Sequence, residues 1–313
     1  MPKDLETIEA EKLWEHYKTY EQFQCRWSQS LGELEATHQE VWNTENYLSR
    51  YAPTVFFGLY DLRDYIALWR HKGKAWVLWA GSDILNLKAG FVFNDGKLKL
   101  LSKIFRGNWW VLRILKKAEH WTENDTEKEA LESLGIKVSG VCPSFLGDVN
   151  KFEVNYKWAN PMNVYVSAGE GREREYGWTT VLNIAYALPD VNFYLYGSES
   201  WKKWYEENPA KQHKNVIIRG RVPKEVMNEE IKNFQVGLRL NEFDGTSEIL
   251  VKAVLRGQYC IGKVKHPHIP SYKNDMDLIL KLNMLRHKKE PNLEVREWYR
   301  KNLNNFPWNE RII

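Results

Sequence analysis

From Thr54 to Ile261 short apolar runs alternate with helix-length amphipathic stretches, and this order leaves few folds open. The runs Thr54–Gly58 and Ala75–Ala80 have no polar face, as strands of a parallel sheet covered on both sides require. A second series runs Asn163–Ala168, Val191–Gly197, Asn215–Gly220, Phe234–Leu240 and Gln258–Ile261. Helical patterns cover Asp64–Trp69, Trp178–Leu188, Trp201–Glu207, Pro223–Asn233 and Ser247–Arg256, with Pro223 suited to a first helical position. Thr126–Glu129 reads as a capping box for a helix that closes at Gly135, ahead of a strand over Ile136–Val141. The order predicts an α/β fold with two doubly wound, Rossmann-like parallel sheets. Ligands of such sheets bind beyond the carboxyl ends of the strands, so two facing sheets put the expected site in the cleft between them.

The expected organisation has four parts. Residues 1–50 are polar and helical in pattern, with Trp14, Tyr17, Tyr20, Phe23 and Trp27 forming an aromatic stripe. Residues 51–150 form a first sheet domain, and a link lies around Gly147–Pro161. Residues 160–285 form a second sheet domain, and 286–313 a C-terminal helix that packs back on the first. A length of 313 residues fits two domains.

With 43% hydrophobic and 27% charged residues, the composition is that of a soluble globular protein. No apolar run approaches the roughly 20 residues that span a bilayer. The start, MPKDLETIEAEK, is too acidic for a signal peptide. A net charge of +4 is no signature of a nucleic-acid binder. Cys25, Cys142 and Cys260 lie far apart and suit a reducing compartment without zinc, so the expected location is cytoplasmic.

Three segments follow strands of the second series and carry polar chemistry. Asp244-Gly245-Thr246-Ser247 opens a helix, where free backbone amides attract anions and Gly245 admits a ligand close to the chain. Asp, Thr and Ser also cap helices with no further role. Ser167–Gly177 is glycine-rich and holds Arg172 and Arg174, whose forked donors match phosphate, although its glutamates also neutralise them. Gly220-Arg221-Val222 ends a strand before a helix and offers backbone groups to a nucleobase edge, or is a plain turn.

In order and spacing these segments resemble the donor-binding half of retaining GT-B glycosyltransferases of the family 4 type. The resemblance covers Asn163–Gly262 and, more loosely, Thr54–Pro143. It implies a metal-independent transfer of a sugar from a nucleotide-sugar to a glycan, lipid-linked or protein acceptor, with retention and without a cofactor. Asp244 matches the acid that contacts the donor sugar, shortened by one carbon. Arg172, Arg174 and the amides after Gly245 would hold the diphosphate, and Gly220–Val222 the base. Gly58, Tyr60, Gly81, Ser82 and Asp83 match loops on the acceptor side of the cleft. Where the family carries a ribose-binding acid this chain has Lys252, which only donates hydrogen bonds and so would meet a phosphate of the donor instead. Glu248, one turn earlier, is its expected ion-pair partner. The substitution leaves open a degenerate nucleotide-sugar-binding protein, and an epimerase is a third alternative.

Asp275-Met-Asp277 has the letters of a metal motif, but it opens a late helix where acids suit the dipole. His71 and His120 are read as satisfied or surface histidines rather than acceptor ligands. Lys97–Lys117 is basic and aromatic without an acid, so peripheral membrane contact through Trp109, Trp110, Leu112, Ile114 and Leu115 is an expectation, alongside plain core packing.

Overall fold

The structure is a computed structural model, and it describes residues 23–29, 42, 44–89 and 109–308. The chain divides into two compact units, one of Met1–Gly147 with Leu303–Ile313 and one of Asp148–Asn302. Each is an α/β unit around one parallel sheet.

The strands of the first unit are β1 (Phe23–Trp27), β2 (Thr44–Asn46), β3 (Thr54–Phe57), β4 (Ala75–Leu78), β5 (Glu119–Thr122) and β6 (Val138–Val141). They run in the order β2-β1-β3-β4-β5-β6, and every pairing is parallel. Helices α1 (Leu62–Arg70), α2 (Ser82–Ala89), α3 (Trp109–Leu115) and α4 (Asp125–Glu132) belong to this unit. The expected capping box at Thr126 is replaced by Asn124, whose side chain accepts from Glu127 N at 3.0 Å.

Two expectations for this unit are corrected. Phe23 and Trp27 belong to strand β1, not to a helical stripe; spaced four apart, they suit alternate strand positions as well as one helix face. Trp14, Tyr17 and Tyr20 lie outside the described residues. The helix expected to return to the first unit belongs to the second, which runs to Asn302. What returns is the tail after it: Phe306 and Trp308, stacked at 4.6 Å, enter the aromatic core of Trp27, Trp42, Phe57 and Trp76. Asn304 fixes this return by bonding Phe145 through both its amide N–H and carbonyl groups.

The second unit holds β7 (Met162–Ser167), β8 (Val191–Tyr196), β9 (Val216–Gly220), β10 (Val236–Arg239) and β11 (Tyr259–Gly262), in the parallel order β11-β10-β7-β8-β9. Its helices are α5 (Trp178–Ala185), α6 (Glu199–Glu207), α7 (Lys224–Ile231), α8 (Glu248–Leu255), α9 (Asp275–Leu285) and α10 (Leu293–Asn302). Pro223 sits just before α7, at its cap. The core beneath is Val164, Val166, Trp178, Val181, Phe193, Leu195, Val236 and Leu238. The chain starts the sheet at β7, builds outward through β8 and β9, then returns to add β10 and β11 on the other side. The strand order therefore reverses between β7 and β10, and a parallel sheet opens a ligand crevice at the carboxyl ends of such a pair.

Candidate functional site

The loops beyond β7 and β10 meet at this reversal. Gly177, at φ +78°, begins α5 with no side chain, and a Cβ there would overlap the side chain of Leu240, just after β10. Only glycine combines that left-handed backbone with so close an approach. The packing sets Tyr176 beside Arg239 at the end of β10, with the guanidinium 4.2 Å from the ring centre.

Asp244 is anchored from below. Arg239 donates to its Oδ2 through Nε at 2.7 Å, and Nη2 lies 2.6 Å from the same oxygen. The pair is largely shielded, with the Arg239 and Asp244 side chains 14% and 25% exposed. Arg172 lies over the same Tyr176 ring, at 4.9 Å, and donates through Nε and Nη2 to Glu175 at 2.9 and 2.5 Å. These bonds hold the Glu175 carboxyl below its usual range. Arg174 is exposed and stands outside the group.

Beyond Asp244, Gly245 is buried and Thr246 half-buried. Ser247 stands at the cap position of α8, yet its side chain makes no capping bond and its buried Oγ has no partner. The first-turn amides of α8 are thus not satisfied by the Ser247 hydroxyl, contrary to the plain capping role such residues usually take. Two further buried polar atoms nearby in the chain or sheet lack partners, Asn241 Oδ1 and His266 Nε2. His266 follows β11, and burial first, then the Arg239 charge, pushes its pKa down to about 4.

Lys252 makes the expected ion pair, 2.6 Å from Glu248 Oε1, and Lys224 reaches that oxygen at 3.1 Å. Burial alone would raise Glu248, but the hydrogen bonds from the two lysines outweigh it and hold the carboxyl low. Gly220 and Val222 lie two strands from β7, about 10 Å at the usual strand spacing. The N–H of Arg221 is donated to Glu199 at 3.2 Å. Glu170 caps α6, accepting from Glu199 N at 2.8 Å and from the Ser198 hydroxyl and Ser200 N at 3.2 Å.

In the first unit the loop residues play a more structural part than expected. Asp83 is fully buried and ties two loops together, accepting from Leu59 N at 3.0 Å, Ala80 N at 3.1 Å and Ile84 N at 2.9 Å. Burial pushes its carboxyl up to about 7 against the pull of those donors. Gly58 and Gly81, both at positive φ, follow β3 and β4, and Tyr60 donates to Ala80 O at 3.1 Å beside exposed Ser82. Ser28, which donates to Asp64 at 2.6 Å, has no sequence signal, because the strand that carries it to Asp64 reads as a helical stripe.

His71 and His120 are buried and bonded, not free acceptor ligands. Asp277 accepts from Lys273 N at 2.9 Å and pairs with Lys281. No group of His, Cys, Asp and Glu among the described residues has metal-site geometry. Residues 97–108 of the basic stretch lie outside the described residues. Beyond them Ile114 and Leu115 are buried in the first unit, so they are not available to a bilayer. Trp110, Arg113 and Lys117 line a cavity of about 590 Å³ with Leu62, Ile66 and Trp69. No described helix is long and apolar enough to cross a membrane.

No family model matches the sequence, and no curated protein matches it significantly. Solved structures share its fold. The lipopolysaccharide outer core galactosyltransferase WaaB aligns over 93% of this chain and 97% of its own, at a TM-score of 0.57 and 12% identity. A chain of the GtfA/B complex aligns over 83% of this chain, at a TM-score of 0.51 and 12% identity. This chain spans about half the length of that relative, 55% of it. The two parallel α/β units therefore have the GT-B fold of glycosyltransferases, and at these identities the likeness is one of fold.

Proposed function

We propose that the protein is a glycosyltransferase that moves a sugar from a nucleotide-sugar to a glycan, lipid-linked or protein acceptor, with retention and without a metal. One observation carries the reading. At the strand reversal of the second unit, Arg172, Arg239, Asp244 and the α8 N-terminus, uncapped by Ser247, converge in a GT-B fold. Cations and a helix N-terminus suit a diphosphate, and a carboxylate beside them suits sugar hydroxyls. In the transfer the acceptor oxygen bonds to the anomeric carbon as the bond from that carbon to the diphosphate oxygen breaks. The leaving diphosphate keeps the electron pair and takes the acceptor proton, so no strong protein base is required. Developing charge on the phosphate is met by the guanidiniums and amides. WaaB, whose substrate class is lipopolysaccharide by name, supports a lipid-linked acceptor. The Trp69–Trp110 cavity with Arg113 and Lys117 is then the membrane-facing surface.

A second reading, a nucleotide-sugar-binding protein without catalysis, is favoured by Lys252, which is spent on Glu248 where the resembling enzymes hold ribose with an acid. Incubation with a panel of nucleotide-sugars separates the two. Release of nucleoside diphosphate from one donor supports the transferase. Thermal stabilisation by a donor without any release, even with acceptor extracts, supports the binding protein.

A further inference from the structure

Two ion pairs meet at the Tyr176 ring. Arg172 and Arg239 lie over it, and each guanidinium is closed by one acid, Glu175 and Asp244 respectively. The two pairs sense each other. Behind the direct bonds between partners, Asp244 adds to the rise in Arg172 basicity, and Arg239 adds to the fall in the Glu175 pKa. Around the end of β10, Asn241 Oδ1, Ser247 Oγ and His266 Nε2 have no partner, on residues 2%, 4% and 5% exposed. Buried polar groups in native proteins are normally bonded, and these three are not. The protein's own carboxylates therefore occupy both cations at the Tyr176 ring.

We propose that this quartet is an anion-exchange latch, in which a nucleoside diphosphate displaces Glu175 and Asp244 from Arg172 and Arg239 and so frees Asp244 for the donor sugar. The inference rests on the donor-site reading above. A guanidinium offers phosphate the same paired donors it offers a carboxylate, so the exchange keeps the bonding geometry. A diphosphate carries its charge on one group that meets both clustered guanidiniums at once, in place of two separate acids. Glu175, with its side chain 52% exposed, returns to water on release. Arg239 thus both binds the diphosphate and positions Asp244. It holds Asp244 while the site is empty and gives it up when the diphosphate arrives, which couples donor binding to the readiness of the acid.

The test is calorimetric titration of the full chain with inorganic diphosphate and, in parallel, with UDP, ADP and GDP. Glu175→Gln removes one competing charge and is expected to tighten diphosphate binding about 3- to 10-fold, the equivalent of one surface ion pair. Arg239→Gln is expected to weaken it at least about 10-fold, with Arg239→Lys recovering only part. Arg172→Gln, at an exposed position, makes the same test if Arg239→Gln does not fold. A salt bridge with a merely structural role predicts no gain in affinity from Glu175→Gln. If both Glu175→Gln and Arg239→Gln bind diphosphate as the unaltered protein does, while Arg239→Gln loses nucleotide-sugar cleavage, the latch is wrong and the donor-site reading stands. If the unaltered protein binds neither inorganic diphosphate nor any of the three nucleotides, both fall.

Discussion

Replacing Asp244 by Asn keeps the shape of the side chain and removes its charge. The carboxylate meets Arg239 through two donors to one oxygen, in a pair whose members are 14% and 25% exposed. That shielding puts its removal above the roughly 0–1 kcal/mol of a surface pair and below the roughly 3–5 kcal/mol of a fully buried one. A cost of about 1–3 kcal/mol follows, discounted for the remaining solvent exposure. Domains typically have about 5–15 kcal/mol in hand, so Asp244→Asn folds. If Asp244 touches the donor sugar, turnover falls about 100- to 1000-fold, the effect of deleting one electrostatic interaction at a reacting centre. Unfolding cannot produce such a fall at that stability cost. Urea titration by tryptophan fluorescence reads the first number, and release of nucleoside diphosphate from the preferred donor reads the second. Folded Asp244→Asn with turnover within about 3-fold of the unaltered protein would place the sugar elsewhere.

Trp79 Nε1 donates to His120 Nδ1 at 3.2 Å, and Nε2 lies 2.8 Å from Leu115 O, so the ring is held neutral with its proton on Nε2. Burial lowers its pKa from 6.5 to about 4, so its contribution is present above pH 6.5 and lost as pH falls through 4. The stability gap between the unaltered protein and His120→Gln should therefore narrow by about 2–3 kcal/mol from pH 7 to 4.5 in urea titrations, and a constant gap contradicts the assignment. Gly197 sits at φ +110° where a Cβ would overlap the Ala168 carbonyl, so Gly197→Ala should cost more than about 3 kcal/mol. Gly135→Ala, at φ +79° with no neighbour within 4 Å, should cost only about 1 kcal/mol in the same titrations. The Trp69–Trp110 surface predicts co-sedimentation with anionic liposomes at low salt, weakened by Trp69→Ala with Lys117→Glu. Equal recovery of both proteins would remove the membrane contact.

The second sheet was legible because its parallel strands read as short, mostly apolar runs, such as Asn163–Ala168 and Val191–Gly197. The alternation also placed the Arg172 and Asp244 segments after strands, since βα loops follow from it directly. β1 was not legible, because in FQCRW the aromatics at 23 and 27 fit two periodicities and the polar Gln24 is itself buried. Arg239 carries no signal of its own, because its bond to Asp244 spans a loop that no helix or strand period describes. Asp83 reads as a loop acid, and its burial depends on amides from two separate loops. The return of Phe306 and Trp308 to Trp42 joins residues more than two hundred and fifty positions apart, as the 262-residue separation of Trp42 and Asn304 shows, and local pattern carries no trace of it.

The central claim is that the strand reversal of the second unit binds and cleaves a nucleotide-sugar. The direct measurement is nucleoside diphosphate release from a panel of nucleotide-sugars, by the unaltered protein and by Arg239→Gln, with and without candidate acceptors. Slow release from one donor by the unaltered protein, accelerated by an acceptor and abolished in Arg239→Gln, is the predicted result. Release that Arg239→Gln leaves unchanged, or no binding and no release with any donor, would contradict it.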